Sequence, residues 1–339
     1  MTDRPVAAAP STTRRKLLLL ARVAVAVALL AFLTSRIDTD AALRVAAGIR
    51  PDWVLLLLLA SLGERVYGAW RWHRIIRQRH DQVGFRSVLR LTFTSAFIGI
   101  FLPGAAGTYA MRAYGLARLT ADTGGSIASL LADRLLVTIA MLAMALAGLL
   151  LHPELAPAGA ATTLTSLTAA GLLASLVALH PAVAGFAERR LRWRWVAPLR
   201  KLAAAYALLA GAIVRYPGSL ALSFALAAGL QVIRVLVVAS AMLALGLQVP
   251  FAVLLFIVPV TMFALMVPIS FAGLGVREAA FIVLLRQIGV PPEAAFTASL
   301  LVYVTAVATT LPGAVLLMLG TSASPQARPR QLHAPRNVH

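Results

Sequence analysis

Long apolar stretches alternate with short polar segments along almost the whole chain. Six of them approach the roughly 20 residues that a helix needs to cross the hydrocarbon core of a bilayer. They lie at about 17–33, 53–70, 126–151, 161–180, 218–245 and 294–319. The pattern predicts an all-α, polytopic membrane protein with about six full spans.

Two further apolar regions, at about 91–118 and 251–290, are interrupted by proline and glycine. As a helix rising ~1.5 Å per residue, the segment from Leu91 to Leu102 reaches about 18 Å and cannot cross a core of about 30 Å. We therefore expect each region to enter the membrane and turn back as a re-entrant half-helix hairpin. The residues that break the two regions are Pro103, Gly104, Gly107, Pro268, Gly273 and Gly275.

The two interrupted regions also resemble each other. In both, a proline is followed by glycine, then by Arg112 or Arg277, and then by the letters ASLL, and each marker recurs about 165 to 170 residues later. One region would enter from the cytoplasm and the other from outside, so the pair predicts an inverted repeat, as in many transporters. Chance similarity between two segments rich in alanine and leucine is the alternative.

Basic residues mark one side of the membrane. They are concentrated in the N-terminus (1–16), after the second span, in "ERRLRWRWVAPLRK" after the fourth span, and in the tail (321–339), whereas "HPELAPAGA" after the third span has none. The positive-inside rule then places both termini in the cytoplasm of a multi-pass protein of the cell membrane. We expect a single membrane domain at 17–320 and a polar, disordered tail at 321–339.

Composition narrows the function. The 339 residues are 60% hydrophobic and 13% charged, with a mean hydropathy of +0.86 and a net charge of +19. The arginines cluster beside apolar runs, which favours orientation in a membrane over a nucleic-acid partner. Cysteine is absent, the six histidines are scattered, and no hydrolase or metalloprotease motif occurs. We therefore predict no metal, no cofactor, no catalytic residue and no enzymatic activity.

Charged residues within the apolar regions are the candidates for a functional site: Arg112, Asp133, Arg134, Arg234, Arg277 and Glu278. Such charges are costly at mid-membrane and are usually paired and inward-facing. Arg234 lies about 16 residues into its span, and a structural pair with Asp133 or Glu278 is the alternative to a binding role. Asp133 and Arg134 could instead extend to the interface. Glu64 and Arg65 are expected nearer an interface.

The breaks themselves favour an anion. A half-helix that begins at Thr108 or Val276 presents free N–H groups and a partial positive charge beside an arginine, and phosphate suits such a site. Glycine at 104 and 107 permits close approach of a ligand. The four basic and two acidic candidates leave a positive surplus that an anion would offset. A kinked helix packed against its neighbours is the alternative.

Four segments, "IFLPGAAGTYAMRAY", "ASLLADRLL", "VPISFAGLGVREAAF" and "GVPPEAAFTASLLVYV", together resemble the lysylphosphatidylglycerol synthase transmembrane family, also called flippase-like. The resemblance extends from about Ala21 to Leu319. It includes Asp133-Arg134, where the family often has Glu-Arg, and departs from it in lacking an acidic residue near Thr108 or Tyr109. A similar domain is thought to move aminoacylated phosphatidylglycerol between leaflets, while a soluble domain makes that lipid. We expect this chain to lack the synthase domain.

These observations predict an integral membrane transporter that moves a phospholipid or related phosphate-bearing lipid between leaflets. Its partners would be an anionic or zwitterionic membrane lipid and a separate lipid-synthesising enzyme. Asp133 and Glu278 would orient the arginines or relay protons. A carrier of polyprenyl phosphate or a lipid-linked glycan is one alternative, and a non-transporting, lipid-binding scaffold for a lipid-modifying enzyme is another. The predicted substrate-binding residues are Pro103, Gly104, Gly107, Arg112, Asp133, Arg134, Arg234, Gly273, Gly275, Arg277 and Glu278.

Overall fold

Helices form all the regular secondary structure in the described part of the chain. The structure is a computed structural model that describes residues 27, 31–32, 34–35, 38–101, 105–155, 161–178, 217–266 and 273–319. A 3-10 turn at Pro153–Leu155 accompanies the α-helices. In chain order these are α1 (Thr39–Ala47), α2 (Pro51–Arg77), α3 (Phe85–Ile100), α4 (Ala105–Thr120), α5 (Thr123–Leu151), α6 (Ala161–Ala178), α7 (Pro217–Ala244), α8 (Phe251–Ala264), α9 (Val276–Arg286), α10 (Pro292–Ala308) and α11 (Leu311–Met318).

Four stretches among the described residues are long and apolar enough to cross a membrane. They are Pro51–Arg77, Thr123–Leu151, Ala221–Ala244 and Pro292–Met318, and the last combines α10 and α11. The chain is thus an all-helical, multi-pass membrane protein, as predicted. The fourth predicted span coincides with α6, which has 18 residues. The predicted N-terminal segment and tail, and most of the first span, lie outside the described residues.

The second span is longer than predicted. Helix α2 begins with Pro51 in its first turn, where the missing N–H leaves nothing unsatisfied, and it continues to Arg77. Arg71 and Trp72 near its end are buried. The sequence counted Arg71 among the basic residues that follow the second span, whereas the structure places it inside α2, buried beside the Asp133 carboxylate of α5.

Four short helices occupy the interrupted regions. Helices α3 and α4 have 16 residues each, α8 has 14 and α9 has 11. Sixteen residues at ~1.5 Å each reach about 24 Å, less than the apolar thickness of about 30 Å. The breaks fall where the sequence predicts them, although α3 begins before Leu91 and α4 before Thr108. Pro103, Gly104 and Pro268 lie outside the described residues.

One end of the molecule is held together by Asp122, the N-cap of α5. Its carboxylate accepts a hydrogen bond from Gly125 N–H at 2.8 Å and lies 2.7 Å from Arg79 Nε and 3.3 Å from His80 Nε2. The Gly125 amide, and after it the Arg79 guanidinium, lower the pKa of Asp122. The loops that precede α3 and α5 therefore meet at this end.

Helices α2 and α7 pack along each other in opposite directions. Arg50 N–H, just before α2, donates to the carbonyl of Ala244 at the end of α7 (2.9 Å). Near the other end of the pair, Tyr67 hydroxyl donates to the carbonyl of Leu226 (3.0 Å). Leu57 packs between these points with Val237 and Ala241 of α7.

The order of long and short helices occurs twice. Helices α2, α3, α4 and α5 are long, short, short and long. The same order recurs in α7, α8, α9 and the long stretch formed by α10 and α11, each beginning 166 to 171 residues after its counterpart. The packing recurs as well. A Cβ on Gly148 of α5 would lie 2.6 Å from Phe256 N of α8, and one on Gly313 of α11 would clash with the Phe93 carbonyl of α3. Each half thus approaches the first short helix of the other half.

Candidate functional site

Two carboxylates inside the helix bundle each pair with an arginine. Glu64 Oε1 of α2 lies 2.8 Å from Arg234 Nε of α7, and Arg234 Nη1 also donates to Gln231 Oε1 at 3.1 Å. Arg234 was expected to bind a ligand or to pair with Asp133 or Glu278. Its partner is Glu64, which the sequence placed nearer an interface. Glu64 is residue 14 of a 27-residue helix, and that central position was the available signal.

Asp133 pairs with Arg71. Arg71 Nη2 lies 2.6 Å from Asp133 Oδ1, and only 2% and 8% of the two side chains are exposed. Neither Arg71 Nε nor Arg71 Nη1 has a hydrogen-bond partner among the described residues. The charge of the buried guanidinium group is therefore compensated by the ion pair with Asp133. This pair is closed to solvent and joins α2 to α5. The arginine that Asp133 pairs with is thus Arg71, which the sequence did not propose as its partner.

Three other arginines have neutral partners. Arg65 donates through Nε to Thr309 Oγ1 at 2.8 Å and through Nη2 to the carbonyl of Ala306. Arg112 Nε lies 3.4 Å from Ser95 Oγ, and its guanidinium carbon lies 5.5 Å from the centre of the Trp72 ring. All of these contacts orient the guanidinium groups without neutralising them.

Arg134 of α5 is the third. Its Nη1 donates to the Tyr109 hydroxyl at 3.1 Å, and its guanidinium carbon lies 5.4 Å from the centre of that ring. In the described part of the chain, no carboxylate oxygen lies within ion-pair distance of Arg65, Arg112 or Arg134.

These side chains form one electrostatic group, which we call the arginine cluster: Glu64, Arg65, Arg71, Arg112, Asp133, Arg134 and Arg234. Arg112 lies over the ring of Trp72, which follows Arg71, and Arg134 follows Asp133 on α5. Charge interactions connect Asp133 to Arg71, Arg112, Arg134 and Arg234, and Arg65 to Glu64 and Arg112. Five arginines thus share two carboxylates. The sequence identified Arg112, Asp133, Arg134 and Arg234 as candidates and missed the other three members.

The second interrupted region places its charges differently. Glu278 is fully buried, accepts a hydrogen bond from Gly275 N–H at 2.6 Å and another from the Ser299 hydroxyl at 3.2 Å. It therefore caps α9 and stands where a bound anion was expected. The φ angles of Gly273 and Gly275 are +77° and +83°, which favour glycine at this turn.

Arg277 forms no hydrogen bond or ion pair with the arginine cluster among the described residues. Its guanidinium carbon is 5.0 Å from the centre of the Tyr303 ring, and its buried Nη1 has no hydrogen-bond partner among the described residues. It forms no ion pair with Glu278 within the described ranges. The structure thus groups Arg112, Asp133, Arg134 and Arg234, and among the described residues neither Arg277 nor Glu278 bonds to that group. Gly107 lies half-buried in the first turn of α4.

Two cavities lie at one end of the bundle. The larger, of about 420 Å³, is lined by the loops that follow α5, α7 and α9. The smaller, of about 350 Å³, is lined by the end of α7 and the loop that follows it. None of the predicted site residues lines them. His152 Nδ1 and Glu154 Oε1, 2.6 Å apart, border the larger one, and the histidine lowers the pKa of Glu154. No group of three metal-ligating side chains occurs in the described part of the chain.

The comparisons with known proteins give one match. The model of the family described as the lysylphosphatidylglycerol synthase TM region matches residues 19–313. No curated protein and no solved structure matches the chain. The matched range includes every helix that contributes to the arginine cluster. Because the match covers most of the sequence, the chain belongs to the family of the lysylphosphatidylglycerol synthase transmembrane region.

Proposed function

We propose that this chain is a lipid transporter, without enzymatic activity, that moves a phosphate-bearing lipid between the leaflets of the cell membrane. The observation that carries the proposal is the arginine cluster, in which five guanidinium groups share two carboxylates inside a bundle of apolar helices. Charge at membrane depth is costly unless it is compensated. A lipid phosphate would supply the missing negative charge while its acyl chains stay in the bilayer.

The repeated helix order supports a transport mechanism. Its equivalent long helices, α2 and α7, run in opposite directions, and Gly148 and Gly313 make equivalent close contacts across the two halves. We propose that the halves form an inverted repeat and that the pairs α3–α4 and α8–α9 are its re-entrant hairpins. Such repeats give many transporters two alternating conformations. Arg277 would then contact the headgroup from the side of the second hairpin.

The distribution of arginine supports an orientation. Arginine is more frequent at the end that contains Asp122, although it occurs at both ends. The Asp122 end carries Arg74, Arg77, Arg79, Arg86 and Arg118. The opposite end, with the His152–Glu154 pair, carries Arg44, Arg50 and Arg286. We propose that the Asp122 end is cytoplasmic, by the positive-inside rule, and that both termini share that side.

The test is lipid movement by the purified protein in phosphatidylcholine liposomes. Acyl-labelled fluorescent phosphatidic acid and phosphatidylglycerol are placed in both leaflets, and dithionite bleaches only the label that reaches the outer leaflet. We expect the protein to expose inner-leaflet label that protein-free liposomes protect. Protection equal to that of empty liposomes, with both lipids, would refute transport and leave a binding scaffold.

Matched variants connect the movement to the cluster. Arg112→Gln and Arg134→Gln each remove a guanidinium that has no carboxylate partner, and charge-assisted contacts are worth about 1.5–3 kcal/mol, so we expect about tenfold slower movement or more. Arg286→Gln removes an exposed arginine at the end of α9 and should leave the rate unchanged. Equal rates in all three variants would contradict the assignment.

A further inference from the structure

We infer that the arginine cluster selects a headgroup with two or more negative charges, a phosphate monoester or a diphosphate, over zwitterionic and aminoacylated headgroups. The inference rests on the proposed function and defines the substrate class of the same site. Its basis is the charge that the cluster leaves uncompensated and the position of the groups that carry it.

The two carboxylates of the cluster are already engaged. Glu64 lies 2.8 Å from Arg234, and Asp133 lies 2.6 Å from Arg71. Three positive charges remain, on Arg65, Arg112 and Arg134, and their bonded partners are hydroxyl groups, a carbonyl and aromatic rings. These partners carry no formal charge.

Among the described residues, no further carboxylate forms an ion pair with an arginine of the cluster. The chain has 12 acidic residues, and only Asp3 and Glu188 lie outside the described residues. The two short gaps beside the cluster and the second turn, 102–104 and 267–272, contain none. Glu278, the remaining buried acid among the described residues besides Asp133, is engaged by Gly275 and Ser299. Within the described part of the chain, the five arginines and two carboxylates of the cluster therefore leave an excess of three positive charges.

The three uncompensated guanidinium groups come from three different helices. Arg65 belongs to α2, Arg112 to α4 and Arg134 to α5. Arg65 and Arg112 are close enough for their like charges to act on each other, and both Arg112 and Arg134 act on Asp133. A polyanion between these helices would remove that repulsion, and the planar donors of arginine suit phosphate oxygens.

The charge of the headgroup then decides the preference. A phosphate monoester carries about −1.5 to −2 at pH 7, because its second pKa is about 6. A phosphodiester carries a single charge, a choline or ethanolamine headgroup is neutral overall, and an aminoacyl headgroup adds an ammonium group that the arginines repel. Only the monoester and diphosphate classes offset most of the excess.

Binding in neutral nanodiscs tests this preference directly. The purified protein is placed in phosphatidylcholine nanodiscs that contain equal small amounts of phosphatidic acid and phosphatidylglycerol, and native mass spectrometry counts each bound lipid. At pH 7.5 we expect phosphatidic acid to bind about tenfold more tightly. Equal binding of the two lipids, or tighter binding of lysylphosphatidylglycerol in a parallel sample, would overturn the inference.

The pH dependence distinguishes the dianion from lipid shape. Because arginine stays protonated and the second ionisation of the monoester is centred near pH 6, binding of phosphatidic acid should strengthen from pH 5 to 7.5. Binding of phosphatidylglycerol should stay constant over that range. A phosphatidic acid affinity that does not change with pH would contradict selection of the dianion.

Variants and soluble competitors complete the test. Arg65→Gln and Arg134→Gln should each reduce the preference for phosphatidic acid, Arg134→Lys should retain more of it than Arg134→Gln, and Arg286→Gln should leave it unchanged. Thermal unfolding confirms that each variant is folded. Inorganic phosphate or glycerol 3-phosphate that displaces the lipid at equal concentration would show that the ligand is a soluble phosphate, which overturns the lipid assignment.

The failure of this inference and the failure of transport give different results. Equal binding of both lipids together with rapid movement of both would refute the charge preference and leave transport intact. A strong preference in binding with no movement of any lipid would refute transport and leave the charge preference intact.

Discussion

The buried Arg71–Asp133 pair gives the most quantitative prediction. Its atoms are 2.6 Å apart, and only 2% and 8% of the side chains are exposed. Asp133→Asn would leave the Arg71 guanidinium buried without a counter-charge, and so would Asp133→Leu. Removing one partner of such a pair costs about 3–5 kcal/mol.

Removing both partners should cost far less. In the double variant Arg71→Met with Asp133→Leu, neither charge is left unpaired and much of the side-chain volume is kept. Replacing a buried ion pair by apolar residues is often neutral or stabilising. We expect the double variant to unfold within about 1 kcal/mol of the wild type, so that the coupling free energy is several kcal/mol.

The assay is reversible unfolding of the purified protein in mixed micelles, with denaturing detergent as the variable, for Arg71→Met, Asp133→Leu, the double variant and the wild type. Asp52→Asn is the matched control, because Asp52 pairs with Arg50 at 2.8 Å on the surface, with both side chains more than half exposed. It should leave the midpoint of unfolding unchanged. Single variants as stable as the wild type, or a double variant that loses the sum of both single losses, would refute the reasoning.

Three further predictions concern the framework around the site. Gly148→Val and Gly313→Val should each destabilise the fold by about 1–3 kcal/mol through overpacking against the neighbouring helix, measured by thermal unfolding; no loss in either variant would contradict the close approach. Glu278→Ala should cost about 1–3 kcal/mol because it leaves Gly275 N–H unpaired, and Glu278→Gln, which keeps an acceptor, should lose less. Because the pKa of Asp122 is lowered in the folded state, its carboxylate stabilises the fold above about pH 4, and this contribution is lost as the pH falls through the folded-state pKa. The thermal unfolding midpoint of Asp122→Asn should therefore fall less between pH 5 and 3 than that of the wild type. The same pH dependence in both proteins would contradict the assigned interaction.

The places where helices break could be predicted from the sequence, because proline and glycine act locally. The turn at Gly273 and Gly275 lies where the sequence placed it, and α9 begins at Val276 as expected. The ends of helices were harder to predict. An arginine normally marks the end of a span, and the sequence alone does not show that Asp133, 62 residues later in the chain, compensates the charge of Arg71 inside the bundle.

The pairing of charges could not be predicted, because it depends on which helix faces meet. Glu64 and Arg234 are 170 residues apart in sequence and become neighbours only through the antiparallel packing of α2 and α7. The sequence did predict that charges on these helices would lie inward and that basic groups would exceed acidic ones. Glu278 differs from these residues because its hydrogen-bond partner is local: it accepts from Gly275 N–H at the N-terminus of its own helix.

The most direct test of the central claim is the position of a bound phosphate. A cryo-electron microscopy structure of the protein in nanodiscs that contain phosphatidic acid should show phosphate density between Arg65, Arg112 and Arg134, with its oxygens about 3 Å from their nitrogens. The account is contradicted if lipid headgroups occupy only the rim of the bundle while these three guanidinium groups stay bonded solely to protein.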